Sequence, residues 1–415
     1  MDKNTDSDFS SEDAADDEEL SREELLDLNP FQLRNFSKQR LGYMAVFDVE
    51  AWATQIGDGL TFPTVIADLS WEEAAAVQHV YQEGVCKQVS KITEADREAL
   101  QQLKYKIQTL LAQLTAKNGT ENEPAGFFVR LGPRSPKDAT ASVSEPWGLS
   151  EERLRVLLQQ LASQAEKEGI ECTSTSNTPH AVLERFQSLS YSLLRVTCAD
   201  DAIALLVTSS RVMQDISHTM DMGRAHWQMT VNARTWDSKV SLEREFRVFV
   251  VEGRVAAISQ YDDQLRYDFV TENPVNIVLT ILRCFELVRP KLESLGLTSS
   301  KRAVVVDFVV THQWSARIIE LNPFGPMTGA SLFTWTHDRR LLQGGLDLYG
   351  DLEECEKRHE ADASLPDWVV QDTIADVPFR YVSLHPPNFT WDHLKAYWSD
   401  YCRLSPPELL RGTTS

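Results

Sequence analysis

The sequence predicts an α+β protein in which antiparallel strand pairs alternate with amphipathic helices. Two apolar runs, 304–311 and 316–323, flank a short polar turn and predict a β-hairpin. The runs 245–251 and 255–260 meet at a turn that contains glycine and predict a second hairpin. Leucine and isoleucine recur at helical spacing between 94 and 117, which predicts a helix with one apolar face. A chain of 415 residues can bury one large core or two lobes.

The remaining elements follow from the same patterns, taken in chain order. Strands are predicted at 62–66, 126–131, 191–196, 227–236 and from 379. Helices are predicted after Ser70, at 149–168, at 199–211, from Pro274 to Val288 and at 391–403. The helix that begins at Pro274 is expected to end near Val288, because Pro290 would break or kink it.

Composition and charge narrow the class of protein. The net charge of −21 argues against general nucleic-acid binding and against binding to anionic membranes. The six cysteines are scattered, which fits a reducing compartment such as the cytoplasm and predicts no zinc site. We see no signal peptide, and no apolar run reaches the length of about 20 residues that a membrane span needs. Residues 1–28 are strongly acidic and are predicted to be a disordered tail, residues 404–415 are predicted to be loose, and a monomer is expected.

The hairpin at 304–323 carries a candidate metal site. With a turn at 312–315, Asp307 is expected to lie opposite Glu320, with Asn322 on the same face. These oxygen ligands suit Mg²⁺ that carries a nucleotide phosphate. A plain core strand pair with polar residues at its exit is the alternative, and the spacing alone leaves both open. Two carboxylates this close repel unless a cation lies between them, so removing one is expected to leave stability unchanged or slightly higher.

Four blocks of the chain, in the same order, resemble the cell division cycle protein 123 family. The first contains Phe47, Trp52 and the segment 60–64, and the second is the basic block 128–138. The third is the hairpin around Arg247, and the fourth joins Asp307 to Glu-Leu-Asn-Pro-Phe-Gly and Leu-Phe-Thr-Trp at 320–335. The resemblance spans about 46–340.

The resemblance implies a two-lobed ATP-grasp-like fold, with mixed and antiparallel sheets flanked by helices, that binds Mg²⁺ and ATP. The domain would cover 46–400, with an N-lobe at 46–225, a C-lobe at 226–400 and a helical insertion at 145–180. It also implies a role in assembling eukaryotic translation initiation factor 2 by binding its γ subunit.

The resemblance assigns nucleotide-binding roles residue by residue. The phosphate side is expected to use four groups, namely Arg130, Arg134, Ser135 and Lys137, because cations at a strand exit neutralise phosphate. Arg195 is matched to a second nucleotide-contacting cation and Arg234 to a family arginine. Met229 and Val231 are the candidates for adenine contact. Arg247 is expected to face the cleft against a phosphate or Glu320, with a structural ion pair as the alternative.

Three functions remain open from the sequence. The leading one is an ATP- and Mg²⁺-binding assembly chaperone. The second is an ATP-grasp ligase that joins a carboxylate to an amine, for which no acceptor pocket is identified. The third is an adaptor that keeps the fold without the nucleotide. No catalytic residue is assigned, and whether ATP is turned over is left open.

Overall fold

The fold is described from a computed structural model, which covers residues 20–33, 38–82, 92–118, 126–139, 179–358 and 365–385. The helices are α1 Arg22–Leu26, α2 Lys38–Ala45, α3 Val49–Ile56, α4 Trp71–Val80, α5 Glu94–Asn118, α6 Pro179–Leu193, α7 Ala199–Thr208, α8 Ser210–Asp221, α9 Asp268–Glu272, α10 Pro274–Ser294, α11 Arg339–Leu342 and α12 Leu352–Arg358. The strands are β1 Thr64–Asp68, β2 Phe127–Leu131, β3 Arg195–Val196, β4 Thr230–Thr235, β5 Glu245–Val251, β6 Arg254–Gln260, β7 Ala303–Val310, β8 Ala316–Pro323, β9 Val369–Ile374 and β10 Val377–Val382.

The first sheet is antiparallel and has the strand order β1-β4-β2-β3 within the described residues. One face of it packs on α4, α5, α7 and α8, where the apolar stripe predicted for α5 is buried. Ser70 and Glu73 form a capping box at the start of α4, in which each side chain accepts a hydrogen bond from the other residue's backbone. The other face of the sheet turns towards the second sheet.

The second sheet has the order β8-β7-β5-β6-β10-β9 within the described residues. Its strands pair antiparallel, except that β6 and β10 are parallel. Strand β7 is buried along its whole length, as its run of valines indicates. Helix α10 covers the sheet through Ile277, Ile281 and Phe285. The α+β class, with mixed and antiparallel sheets flanked by helices, is confirmed.

The start of the described chain packs on the second sheet, although the sequence placed it in the acidic tail. Ser21 and Glu24 form a capping box at α1, and Leu26 is buried. The Arg302 guanidinium donates to the Asp27 carboxylate at 2.7 Å. The predicted tail boundary at residue 28 is therefore wrong, because this segment buries apolar surface and pairs its acids with an arginine.

Phe31, in the same N-terminal segment, also packs on the second sheet. Its ring lies 6.5 Å from that of Phe324, 5.8 Å from Trp335 and 5.7 Å from Tyr349, measured between centroids. The Arg339 guanidinium stacks 3.7 Å above it. The N-terminal segment thus completes an aromatic layer on the face of the second sheet opposite α10.

The buried clusters do not follow the predicted division of the chain at residue 225. Residues of α1, α2 and α3 belong to the core of the second sheet, whereas β4 belongs to the first. The lobe boundaries stay predictions. Most of the acidic tail, nearly all of the insertion at 145–180, the helix at 391–403 and the C-terminal tail lie outside the described residues.

Two local predictions are wrong. Residues 191–196 were expected to form a strand, but α6 continues to Leu193 and only Arg195–Val196 pair with β2. Helix α10 runs through Pro290 to Ser294 instead of ending near Val288. Val288 and Leu292 are both buried, so packing on either side of the proline offsets the backbone hydrogen bond that proline removes.

A further finding concerns membranes. No helix in the described ranges combines the length and the apolar character that crossing a bilayer requires.

Candidate functional site

The hairpin β7–β8 places Asp307 directly opposite Glu320, as the sequence predicts. The route differs from the prediction. Val310 rather than Thr311 pairs with Ala316, and the register then shifts by one residue between Phe308 and Asp307. The extra residue in β8 is Ile319, so a β-bulge compensates for the longer turn.

Asp307 is almost completely buried and holds an arginine. It is 1% exposed, and its partner in the neighbouring strand β5 is Arg247. Arg247 Nε and Nη2 donate to the two carboxylate oxygens, each at 2.8 Å. Asn322 Nδ2 donates to Asp307 Oδ2 at 2.9 Å. Both oxygens of Asp307 therefore accept hydrogen bonds. Arg247 forms an ion pair with Asp307, which corresponds to the alternative of a structural ion pair given above.

Glu320 connects the two sheets through Arg130. Arg130 Nη1, from β2, donates to Glu320 Oε1 at 2.6 Å. Arg130 also donates to the backbone oxygens of Leu131 and Gly132, at 3.0 and 3.3 Å. Burial raises the pKa of Glu320, but the charges of Arg130 and then Lys137 outweigh burial and hold the pKa at about 2. Glu320 is thus an ionised carboxylate in the cleft.

Lys137 brings a third cation to the same cleft. Its Nζ lies 3.2 Å from the Tyr261 hydroxyl and 4.8 Å from the centre of the Tyr261 ring. Burial lowers the pKa of Lys137, but the interactions with Tyr261 and Glu245 raise it by a larger amount. The pKa therefore lies above its ordinary value. Burial raises the pKa of Glu245, and Lys137 opposes this effect. The Tyr191 hydroxyl donates to Glu245 Oε1 at 3.0 Å.

The rest of the basic turn is directed elsewhere. Arg134 Nε and Nη2 donate to the Asp215 carboxylate on α8, at 2.8 and 2.9 Å. Asp138 accepts from the hydroxyls of Ser209 and Ser210, both at 2.5 Å. Ser135 is buried between these anchors. This half of the turn is fastened to α8, and the phosphate roles predicted for Arg134 and Ser135 stay predictions.

The candidates on β3 and β4 divide between the two faces of the first sheet. Met229 and Val231 are buried in the core beneath α4 and α5, so their side chains do not line the cleft between the sheets. Arg234 is on the cleft face, 2% exposed, and it bonds to Ile319 of β8. Arg195 pairs with Phe128 at the end of the sheet and is exposed.

Two polar residues next to these groups were not found from the sequence. Tyr261 packs against both Lys137 and Arg247, whose guanidinium lies 4.9 Å from the ring centre. Glu245 starts β5, two residues before Arg247 and therefore on the same face. The only available signal for Glu245 was its spacing from Arg247 within one predicted strand.

The cluster can be tested for its fit to Mg²⁺ and ATP. Three cations (Arg130, Lys137 and Arg247) converge with three carboxylates (Glu245, Asp307 and Glu320) in one cleft. Within the described part of the chain, no group of three His, Cys, Asp or Glu side chains is arranged to hold a metal. The candidate set instead combines two carboxylates with the amide of Asn322, which are hard oxygen donors of the kind that Mg²⁺ takes alongside water. The donor chemistry fits the group.

Comparisons with known proteins show which chains this protein is similar to. The family model D123 matches residues 186–383. A Xenopus laevis protein named "Translation initiation factor eIF2 assembly protein" is 28% identical over 167 residues, which cover 39% of this chain and 46% of that protein. The resemblance to the cell division cycle protein 123 family is confirmed. A Schizosaccharomyces pombe protein of the same name is 29% identical over 154 residues, covering 34% of this chain and 44% of that one.

The matches cover only part of each curated relative. The chain matches just under half the length of these curated relatives. A solved structure, "Structure of Cdc123 from Schizosaccharomyces pombe", is 20% identical, covers 71% of this chain and 90% of that chain, and superposes with a TM-score of 0.43. The residues that the family model D123 matches include Arg247, Asp307, Glu320 and Asn322, whereas Arg130 and Lys137 lie before the matched segment.

Proposed function

We propose that this protein binds Mg²⁺ and ATP in the cleft between its two sheets and acts as an assembly chaperone for translation initiation factor 2. The observation that carries the proposal is the convergence of Arg130, Lys137 and Arg247 with Asp307 and Glu320. Distant parts of the chain supply these groups, and the Arg130–Glu320 contact joins partners separated by 190 residues.

The charges of the cleft support an exchange of partners on binding. In the protein alone, Arg130 neutralises Glu320 and Arg247 neutralises Asp307. A nucleotide that arrives with Mg²⁺ brings both signs of charge. Arg130, Lys137 and Arg247 would then neutralise phosphate oxygens, and the carboxylates that they now pair with would be neutralised by Mg²⁺.

Glu320 and Asn322 are the residues best suited to hold the metal. Only one oxygen of Glu320 bonds to Arg130, and the side chain retains 16% exposure. Asp307 is less accessible, since both of its oxygens are bonded and its side chain is 2% exposed. We therefore assign Asp307 the role of fixing Arg247 and Asn322, and of joining the metal only when Arg247 moves to phosphate.

The partner is proposed from the relatives. Two of them carry the name "Translation initiation factor eIF2 assembly protein". By family resemblance, the contact would be with the γ subunit, and bound ATP would stabilise the shape that makes this contact. The acidic chain, with a net charge of −21, suits a partner surface rich in lysine and arginine.

Titration calorimetry with a non-hydrolysable ATP analogue tests the nucleotide site. A single site is expected in Mg²⁺, and binding is expected to be lost in EDTA. Lys137→Met should weaken binding at least tenfold, since it removes a buried cation. Lys104→Met, at a surface pair with Asp200, is the matched control and should bind as wild type. Equal affinity with and without Mg²⁺ would refute the metal assignment, and no binding at all would favour the adaptor without nucleotide.

A pull-down tests the chaperone role. The γ subunit of translation initiation factor 2 should be retained more strongly in the presence of Mg²⁺ and ATP, with little steady release of ADP. Release of ADP in proportion to an added acid and amine would instead indicate a ligase. Failure to retain the γ subunit under either condition would refute the proposed partner.

A further inference from the structure

Over the paired segment, strand β8 (316–323) contains one more residue than strand β7 (304–310), and this residue decides where Glu320 points. Phe308 pairs with Ile318, but the next residue of β7, Asp307, pairs with Glu320. Side chains alternate between the faces of a strand, so a shift of one residue exchanges the faces. Without the bulge, Glu320 would pair with Val306 and turn into the apolar core that Val306 occupies.

Two polar side chains hold the bulge from the outer side of β8. The Thr61 hydroxyl donates to the Ile318 carbonyl at 2.7 Å, and Arg234 Nη1 donates to the Ile319 carbonyl at 2.6 Å. Arg234 Nη2 also donates to Thr61 Oγ1 at 2.7 Å, which links the two donors. Successive carbonyls point in opposite directions in a regular strand. Here one pair of side chains reaches both carbonyls, which is the geometry of a bulge.

Thr61 and Arg234 are both buried, and burying a guanidinium is costly unless its hydrogen bonds are satisfied. Thr61 is completely buried, and Arg234 is 2% exposed between the rings of Trp52 and Phe62, 5.7 and 5.2 Å away. Burial, reinforced by the nearby charge of Arg130, lowers the pKa of Arg234 to about 9. Arg234 donates to a backbone carbonyl and two threonine hydroxyls, so the buried guanidinium serves to hold the backbone.

We propose that Thr61 and Arg234 are positioning residues for the cleft, which fix the bulge at Ile319 so that the Glu320 carboxylate faces Arg130 instead of the core. That Glu320 binds Mg²⁺ depends on the proposed function, whereas the orientation of its carboxylate does not. Arg234 belongs to the first sheet and Ile319 to the second. The candidate metal ligand is therefore set in place only where the two sheets meet.

The pKa of Glu320 reports its orientation directly. It can be followed by NMR on protein labelled with ¹³C at the glutamate carboxyl groups, with Glu320→Gln used to assign the signal. Thr61→Val keeps the shape but removes the hydroxyl, and it should raise this pKa from about 2 towards its ordinary value of 4.5. Thr61→Ser should restore the low value. Thr64→Val is the matched control, because Thr64 also accepts from Arg234 but does not contact β8.

Binding of the ATP analogue is the second readout. Thr61→Val should weaken Mg²⁺-dependent binding at least tenfold, and Thr61→Ser should bind within about threefold of wild type. A pKa that stays near 2 in Thr61→Val overturns the positioning role, whatever happens to ATP. A raised pKa together with a wild type that binds no ATP leaves the positioning role standing and refutes the proposed function.

Folding failure is also decisive. Should Thr61→Val not fold, the titration is repeated on Thr61→Ala, which lacks the same hydroxyl and has no branched side chain. If that variant folds with a raised pKa, the proposal stands. If neither variant folds while Thr61→Ser does, the hydroxyl serves the fold as a whole, and the specific role towards Glu320 is overturned.

Discussion

Asp307→Ala should destabilise the protein strongly, contrary to what the sequence suggested. The repulsion expected between Asp307 and Glu320 is absent, because Arg247 is bonded to one carboxylate and Arg130 to the other. Removing Asp307 leaves Arg247, which is 7% exposed, without both of its carboxylate bonds. Breaking a buried pair in this way costs about 3–5 kcal/mol. The free energy of unfolding should fall by that amount.

Urea unfolding at neutral pH measures the loss, and a surface pair supplies the control. Arg340 donates to Glu356 through two bonds of 2.7 and 2.8 Å, nearly the same geometry, but the side chains are 53% and 43% exposed. Glu356→Ala should cost at most about 1 kcal/mol. The double variant Asp307→Leu with Arg247→Met should recover most of the lost stability, because no uncompensated charge stays buried.

The reasoning fails if Asp307→Ala costs no more than Glu356→Ala. Such a result would mean that Arg247 does not depend on Asp307 in the free protein. Asp307 would then be an accessible ligand, and the prediction from the sequence, in which Asp307, Glu320 and Asn322 hold the metal together, would be the better description.

Two further predictions concern stability. The folded pKa of Glu320, about 2, lies below its ordinary value of 4.5. It therefore contributes about 3 kcal/mol above pH 4.5, which is lost as the pH falls towards 2. Urea unfolding at several pH values should show this loss in wild type and not in Glu320→Gln, and parallel pH curves would contradict it. Phe31→Ala should lower the free energy of unfolding by about 1–3 kcal/mol, less than a core phenylalanine because Phe31 is half-buried. Gln32→Ala, at an exposed neighbour, is its control, and equal effects would show that the ring does not dock.

The local patterns predicted much of the fold, because they report which residues are apolar at which spacing. The stripe of α5 and the alternation of β5 and β8 are properties of a few adjacent residues. The bulge at Ile319 is not, since Ile318 and Ile319 are both apolar and either could face the core. The predicted pairing of Asp307 with Glu320 was correct because two deviations, a longer turn and an extra residue, cancel.

The partners of the candidate site depend on strand order, which the sequence does not reveal. Arg247 meets Asp307 because β5 lies beside β7. Arg134 meets Asp215 across 81 residues of sequence, so a turn that looked free to bind phosphate is partly fastened to a helix. Met229 and Val231 were assigned to adenine from their strand alone. Their side chains lie in the core of the first sheet, and the adenine role stays a prediction.

The docking of the N-terminal segment constrains how the protein can fold as it is synthesised. Asp27 bonds to Arg302, 275 residues later, and Thr61 bonds to Ile318, 257 residues later. At about 5–20 residues per second, the ribosome needs roughly 15–55 seconds to produce the partner of Asp27. During that interval Leu26 and Phe31 have not yet met the strands that cover them. By the time residue 196 is made, the first sheet lacks only β4, so it can be completed first. The second sheet forms later. Residues 20–33, although they are synthesised early, can dock on it only after its last strands have formed.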